Sequence, residues 1–182
     1  MGNNSSTESG WLVPLGNGPD YDATLENQLS SWVTGLTGLA DGYVVSRWQP
    51  NQAPAFAGDI NWCAFGISEI SQDDSQAFVD QTDSSTQLWR HEVISLQTSF
   101  YGPGGQQLIS QFRDGMAVNQ NNDELNAQGL SLTDYSAIKS NPELIDTQWT
   151  RRYDMTVRLR RKVVREYGVN SLVDTPVSFF GE

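Results

Sequence analysis

The sequence predicts an α+β domain with a mostly antiparallel sheet of four or five strands, two amphipathic helices packed on one face of the sheet, and extended N- and C-terminal arms. Two segments space their apolar residues as helices do, others alternate apolar and polar residues, and no repeat indicates a solenoid. The 182 residues include one cysteine and one histidine, which excludes a disulfide framework and a Cys/His zinc site. Folding must therefore rest on the packing of apolar side chains.

The first predicted helix begins at Asp22 and is about 18 residues long. Its apolar side chains form one stripe, at Leu25, Leu29, Trp32, Val33, Leu36 and Leu39. Asp41-Gly42 suits the turn that ends this helix, and the β-branched and aromatic residues 43–48 predict the first strand. The segment that follows, PNQAPAFAG, contains two prolines and predicts an extended loop.

Residues 62–71 and 87–100 predict two further strands, which we expect to pair antiparallel. Residues 73–86 connect them; this acidic insert is rich in Asp and Ser and predicts the exposed end of a long hairpin. Gly102-Pro103-Gly104-Gly105 predicts a plain strand-to-helix turn, because no lysine of a phosphate-binding loop follows it. A second amphipathic helix is predicted from about Gly105 to Gln120.

Two more strands are predicted at residues 130–138 and, after a break at Asn141-Pro142-Glu143, at residues 147–166. In the longer one, Met155, Val157 and Leu159 alternate with polar residues, which predicts that one face of the strand is buried.

The ends of the chain differ in composition from its middle. Residues 1–20 are rich in Gly, Asn, Ser and Pro and predict a flexible N-terminal arm, followed by a single domain at residues 21–168 and a C-terminal arm at residues 169–182. No window has the length and apolarity of a membrane helix, and no signal peptide is visible. We therefore expect a chain that is made and kept in the cytosol, with no membrane partner.

The candidate reactive residues favour ordinary structural roles. His91 has no second histidine or nucleophile motif beside it, so we expect an exposed or interface histidine. Cys63 lies in an apolar strand and is predicted to be a small buried side chain. The acid-rich runs at residues 73–83 and 119–124 lack the spacing of a calcium loop and predict solvated loop surface. The sequence thus predicts no catalytic residue, no cofactor and no metal.

Charge is segregated along the chain. Residues 1–146 hold 18 acids and 4 bases, whereas residues 147–166 hold 7 bases and 2 acids. Nucleic-acid contact, a merely solvated strand face and a surface for an acidic neighbour are all compatible with this pattern. The net charge of −11 argues against DNA binding. Another copy of the chain is the most available acidic neighbour, and a basic strand on an acidic molecule suits a heterologous, ring-closing contact.

The predicted subunit interface therefore includes the basic strand, residues 147–166. A short apolar segment, Val177-Ser178-Phe179-Phe180, adds to it, because an exposed pair of phenylalanines is costly unless it is covered. This segment either folds back on its own sheet or adds to the edge of a neighbour. The candidate interface residues are Arg151, Arg152, Arg158, Arg160, Arg161, Lys162, Arg165, Val177, Phe179 and Phe180.

The order and spacing of several segments between about residues 25 and 170 resemble those of a known protein family. These segments are WVTGLTGL (32–39), VSRWQPNQAP (45–54), INWCAFGI (60–67), FYGPG (100–104), FRDG (112–115), WTRRYDM (149–155) and RLRR (158–161). In this order they resemble the neck or tail terminator proteins of tailed bacteriophages. The acidic insert and residues 1–20 match nothing in that family.

The resemblance implies a structural, non-enzymatic virion protein at the junction of tail and neck, assembled in the host cytoplasm. Such proteins form a ring, typically of six copies, on the last ring of the tail tube, where they stop tube growth and meet the head-side connector. Expected partners are therefore other copies of the chain, the tail tube protein, the neck connector and the tail sheath where one exists. Genomic DNA would pass through an acidic lumen without specific binding.

Two alternatives remain open at this point. The chain could be another neck connector, such as a tail completion or head-closure protein, with similar small α+β architecture and ring symmetry. It could instead be a cytosolic enzyme or ligand-binding domain that uses the loops around residues 50–59 and 102–105.

Overall fold

The structure is a computed structural model and describes residues 3–16, 18–52, 55–145 and 147–170. Its elements, in chain order, are α1 (Asp22–Thr37), β1 (Val44–Ser46), β2 (Trp62–Gln72), β3 (Ala77–Val79), β4 (Thr86–Tyr101), α2 (Gly105–Gly115), α3 (Asn119–Ala127), β5 (Leu130–Tyr135), β6 (Lys139–Ser140), β7 (Glu143–Ile145), β8 (Gln148–Thr150) and β9 (Arg152–Tyr167). None of the helices in the described ranges is long and apolar enough to cross a membrane.

The described residues form two compact units. The larger unit contains the described residues of 20–71 and 92–161, and the smaller unit contains those of 1–19, 72–91 and 162–182. The predicted division into an arm, one domain and a second arm stays a prediction.

Within the described residues the main sheet has seven strands, with β1, β2, β4, β9 and β5 side by side in that order, β3 paired with β4, and β6 paired with β9. The predicted α+β class is confirmed, but the predicted sheet of four or five strands is too small. The sheet is also mixed, because β1 and β2 are parallel, with Val44 opposite Cys63. Parallel neighbours need a long connection, and residues 47–61, which include the PNQAPAFAG segment predicted as an extended loop, supply it.

Helix α1 confirms the first helix prediction and covers one face of the sheet. Leu29 and Val33 are fully buried, and the ring of Trp32 meets that of Phe112 from α2 at 5.2 Å between centroids. Burial of each such side chain contributes about 1.5–3 kcal/mol. The helix ends at Thr37 because Gly38 adopts φ 68°, a left-handed cap whose N–H donates to the carbonyl of Thr34.

The second helix is shorter than predicted, and a third helix follows it. Helix α2 ends at Gly115, whose carbonyl accepts a hydrogen bond from Asn121 Nδ2 at 2.8 Å. Helix α3 lies in the polar run that was predicted to be loop surface. Its sequence, NQNNDELNA, buries only Leu125, so it has no apolar stripe by which a pattern could predict a helix.

The predicted strand-to-helix turn before α2 is confirmed, because residues 102–104 connect β4 to α2. Gly102 adopts φ 96°, and a Cβ at this position would lie 2.3 Å from the carbonyl oxygen of Ile60. The N–H of Gly104 donates to Asn61 Oδ1 at 2.8 Å. Only glycine fits such a close approach of two backbones.

The longest predicted strand is divided in the structure. Residues 147–166 were predicted as one strand, but β8 ends at Thr150 and β9 begins at Arg152. Strand β8 pairs antiparallel with β7, which occupies part of the predicted break. Thr147 adopts φ 66° in the turn between them, and this reversal separates β8 into a two-stranded sheet of its own. The predicted strand at 130–138 likewise ends early, at Tyr135.

In the smaller unit, the acidic insert carries β3, a strand that the composition did not predict. Its residue Phe78 lies opposite Leu88 of β4 in an antiparallel pair, and Phe78 is 60% exposed. Residues from the N-terminal region pair with the backbone near the end of β9: the N–H of Leu15 donates to Glu166 O and that of Ser6 to Gly168 O, both at 2.7 Å.

Candidate interface site

The two faces of β9 in the larger unit have opposite character. Met155, Val157 and Leu159 are at most 1% exposed and lie in the core, which confirms the predicted alternation. Arg158 and Arg160 alternate with them and are exposed. Because side chains of a strand point alternately to either face, these two arginines lie on the face of the sheet opposite the core. We call that side of the sheet the opposite face and the other the core face.

The exposed arginines differ in their partners. Arg158 donates from Nη1 to Asp134 Oδ1 of β5 at 2.7 Å, with about half of each side chain exposed. Surface pairs of this kind contribute little to stability. Arg151 and Arg160 are exposed and have no carboxylate partner among the described residues. The larger unit thus presents guanidinium groups that are available to a neighbouring molecule.

Arg161 was predicted to belong to the interface, but the structure places it inside the larger unit. Its side chain is 4% exposed, and its Nε lies 2.6 Å from Oε1 of Glu92, itself 3% exposed. Its Nη1 donates to the carbonyl oxygen of Asp20, and the guanidinium lies 4.5 Å from the centre of the Tyr21 ring. Side chains alternate along β9, so residue 161 points to the same side of the sheet as Leu159. Arg161 is therefore buried, and its charge is paired inside the unit.

Arg152 is also engaged within the larger unit. Its Nη1 lies 3.0 Å from Glu143 Oε2 of β7, and its Nε lies 2.8 Å from Asp154 Oδ1. Burial alone would lower the pKa of Arg152, but the hydrogen bonds that its guanidinium donates to Asp154 and Glu143 outweigh it and raise that pKa. Arg152 thus joins the β7–β8 hairpin to β9.

Asp154 is the centre of this network. It accepts hydrogen bonds from Arg152, from the hydroxyl of Ser99 and from Asn141 Nδ2, the last at 2.7 Å. Burial would raise the pKa of Asp154, but these hydrogen bonds to the charged form outweigh it and hold the pKa below its ordinary value. The carboxylate therefore stays ionised in the folded protein at neutral pH.

The remaining predicted interface residues lie in the smaller unit or outside the described ranges. Lys162 is exposed, with Nζ 2.8 Å from the centre of the Trp89 ring, a cation–π contact. Arg165 is half-buried, and a Cβ at Gly18 would lie 3.4 Å from its Nη1. Val177, Phe179 and Phe180 lie outside the described residues, so their part in an interface stays a prediction.

An aromatic cluster on the opposite face was not predicted. The rings of Trp62 and Tyr101 are stacked, 4.1 Å apart with 8° between their planes, and both residues are buried. Phe56 contacts Trp62 and Tyr43 at about 5 Å between ring centres. The unbroken apolar run WCAF at 62–65 could have indicated this cluster, because strands buried on both faces lack alternation.

A groove of about 530 Å³ opens beside this cluster, and we call it the aromatic groove. Its apolar wall is formed by Val45, Trp48, Phe56, Trp62, Tyr101 and Ile145. Its polar end holds Arg47 and Glu143: Arg47 Nη2 donates to the Tyr101 hydroxyl at 3.1 Å, and that hydroxyl donates to Glu143 Oε2 at 3.2 Å. Burial, opposed by the charge of Arg47, raises the pKa of Tyr101 above its ordinary value.

Several large apolar side chains of the larger unit are exposed. Trp48, at the rim of the groove, is 63% exposed. Leu144 and Trp149 are directly opposite each other in the β7–β8 hairpin and are 57% and 75% exposed. Clusters of exposed apolar residues are typical of protein–protein contact sites.

The candidate reactive residues have structural surroundings. The thiol of Cys63 is fully buried, as predicted, and this burial raises its pKa far above the ordinary value. His91 Nδ1 lies 3.5 Å from a carboxylate oxygen of Asp73, and its side chain is 41% exposed. In the described part of the chain, no three His, Cys, Asp or Glu residues are grouped so that they could hold a metal ion.

Comparison with known protein families gives one match that spans most of the chain. A family model described as phage neck terminator protein matches residues 23–182. The match includes the basic strand, the aromatic groove and the C-terminal segment, and it begins after the first 22 residues. No curated protein matches the chain.

Proposed function

The chain belongs to the phage neck terminator protein family, and from this premise we propose that its copies form a ring, of six by resemblance, that ends the tail tube and joins it to the neck. Membership in the family makes the chain a structural component of the phage virion. The ring, its copy number and its place on the tube are our proposal. In this proposal the ring assembles in the host cytoplasm and contacts the tube protein, the neck connector and the sheath where one exists.

One observation carries the ring proposal: β9 keeps Arg158 and Arg160 exposed on the face opposite the core, while the rest of the chain is acidic. Residues 1–146 contain 18 acids against 4 bases, so most of the surface that a neighbour offers is negative. A basic strand on one copy and an acidic surface on the next make a head-to-tail contact. Repetition of a head-to-tail contact closes a ring when the rotation permits.

The acidic excess also suits passage of the genome. A lumen lined with carboxylates repels the phosphate backbone, so DNA can move through the ring without being held. We assign the acidic part of the surface to the lumen and to the contact with the next copy.

We propose that the role is non-enzymatic. The aromatic groove combines apolar and ionisable side chains, but its ionisable groups bond to one another. The raised pKa keeps the Tyr101 hydroxyl protonated, which makes it a poor nucleophile. The buried thiol of Cys63 is a poor nucleophile for the same reason.

A double charge reversal, Arg158→Glu with Arg160→Glu, tests the ring. We expect the variant to keep the native circular dichroism spectrum, because both side chains are exposed, and to lose the oligomer in sedimentation experiments. In phage complementation it should give tails of uncontrolled length or tails that do not join heads. The control is Arg113→Glu, which reverses a half-buried arginine of α2 that is paired with Asp114. Wild-type oligomers and tails in the double variant would contradict the proposal.

A further inference from the structure

We infer that the aromatic groove of one copy is the docking site for residues 171–182 of a neighbouring copy. The inference rests on the proposed ring, which supplies the second copy. It assigns an occupant to a surface whose role neither the family match nor the charge pattern defines.

The groove has the features of a site that receives an aromatic segment. Its wall consists of aromatic and aliphatic side chains, with Trp48 projecting at the rim. Buried aromatic residues seated in such pockets provide most of the binding energy in many interfaces. An occupant with large apolar side chains would cover this wall.

Arg47 favours an occupant of the groove that carries a negative charge. Its guanidinium is half-buried and donates to the Tyr101 hydroxyl, but it has no carboxylate partner among the described residues. A guanidinium has five N–H donors in a fixed geometry that suits a carboxylate. Glu143 and Arg152 already satisfy each other at the same end of the groove. The site therefore suits an occupant that carries both aromatic rings and an acid.

Residues 171–182, SLVDTPVSFFGE, have this composition. The adjacent Phe179 and Phe180 can fill the apolar wall, and Glu182 or Asp174 can supply a carboxylate for Arg47. Pro176 restricts the backbone, which lowers the entropy cost of ordering the segment on binding. The segment also falls inside the family match, unlike the first 22 residues.

The length of the segment permits docking on a neighbour. The 12 residues that follow Asn170 can span up to about 40 Å when extended, which is comparable to the diameter of a globular domain of this size. Each copy in a ring can therefore donate its segment to the next copy and receive one from the previous copy. Such an exchange would reinforce the contact made by β9 through a second, linked attachment.

Cysteine cross-linking in full-length protein tests the docking. One tagged preparation carries Gln52→Cys at the groove, and a second, with another tag, carries Ser178→Cys; the buried Cys63 does not react with either. After mixing, ring assembly and mild oxidation, we expect a disulfide between the two tagged chains. The control replaces Gln52→Cys by Ala127→Cys, an exposed position on α3, and should give at least about tenfold less product, because docking raises the local concentration at the groove.

Further substitutions test the chemistry of the contact. In the Ser178→Cys chain, Phe179→Ala with Phe180→Ala should reduce the cross-link about tenfold or more, because the aromatic anchors are lost. In the Gln52→Cys chain, Arg47→Gln should reduce it by a smaller factor, and the control Arg113→Gln should not. A cross-link that survives loss of both phenylalanines would overturn the inference.

The oligomeric state of the same samples separates this inference from the proposed ring. Rings without the Gln52–Ser178 cross-link would overturn the docking and leave the ring intact. Chains that stay monomeric under all conditions would overturn both. A single chain that carries both cysteines and closes an internal disulfide between them would also overturn the inference, because the segment would then dock on its own copy.

Discussion

The core face and the opposite face of the sheet differ in whether a charged side chain is buried and paired, as the neighbouring residues Arg161 and Arg160 show. Arg161 lies on the core face, 4% exposed and paired with the equally buried Glu92. Arg160 lies on the opposite face, exposed and without a carboxylate partner among the described residues. The charge that the core face buries is neutralised by a partner, whereas the opposite face leaves the guanidinium of Arg160 accessible. The second face is therefore the one suited to contact other proteins.

Removal of one member of the buried pair should have the largest effect. We expect Arg161→Met to lower the free energy of unfolding by about 3–5 kcal/mol, because the carboxylate of Glu92 loses its buried cationic partner. The double variant with Glu92→Met should recover most of that loss. Urea unfolding monitored by circular dichroism measures both.

The matched control for this variant is Arg160→Met, on the other face of the same strand. It should change the free energy of unfolding by less than about 0.5 kcal/mol. Equal losses for the two single variants would show that the faces do not differ as described.

The polar network on the opposite face should have an intermediate effect, with a defined pH dependence. At pH 7 we expect Asp154→Asn to cost about 1.5–3 kcal/mol, because the carboxylate accepts charge-assisted hydrogen bonds and is 12% exposed. The pKa of Asp154 is lowered in the folded state, so its stabilisation is complete above the ordinary value of 3.8 and is lost as the pH falls through the lower folded value.

The measurement is the difference in unfolding free energy between the wild type and Asp154→Asn from pH 7 down to about pH 2.5. This difference in unfolding free energy should stay constant as the pH is lowered to about 4.5 and should become smaller below that pH. A difference that widens as the pH falls would contradict the lowered pKa.

The smallest predicted effect concerns the phenol at the groove. Tyr101→Phe should cost about 1–2 kcal/mol at pH 7, because it removes the hydrogen bonds of the hydroxyl with Glu143 and Arg47 while preserving the stacked ring. The pKa of Tyr101 is raised in the folded state, so its contribution is present below the ordinary value of 10.0 and is lost as the pH rises toward the folded value. Absorbance titration of the phenolate and unfolding at pH 9 to 11 should show this loss in the wild type and not in the variant.

The sequence predicts the core face well because that face follows a simple period. Helix α1, the strands near residues 62 and 87, and the inward row at Met155, Val157 and Leu159 were all found from apolar spacing. The same phase places position 161 inward. Arg161 was nonetheless assigned to the surface because arginine is rarely buried without a partner, and Glu92 is far away in the sequence.

The opposite face is harder to predict because it depends on contacts between distant segments. The aromatic groove is lined by residues of β1, β2, β4, β7, β9 and the connection after β1, and no local pattern indicates that these segments meet. Helix α3 and β3 were missed because each buries few side chains. The family resemblance, in contrast, rested on short segments in a fixed order and is confirmed by the match over residues 23–182.

We propose that this chain acts by assembly, as a ring between tail tube and neck. Electron microscopy of purified phage particles, with an epitope tag on the subunit and antibody labelling or three-dimensional reconstruction, tests it most directly. The account predicts a closed ring of this chain at the head-proximal end of the tail tube, directly below the neck. Density or label at any other part of the particle, or a mature particle without the chain, would contradict it.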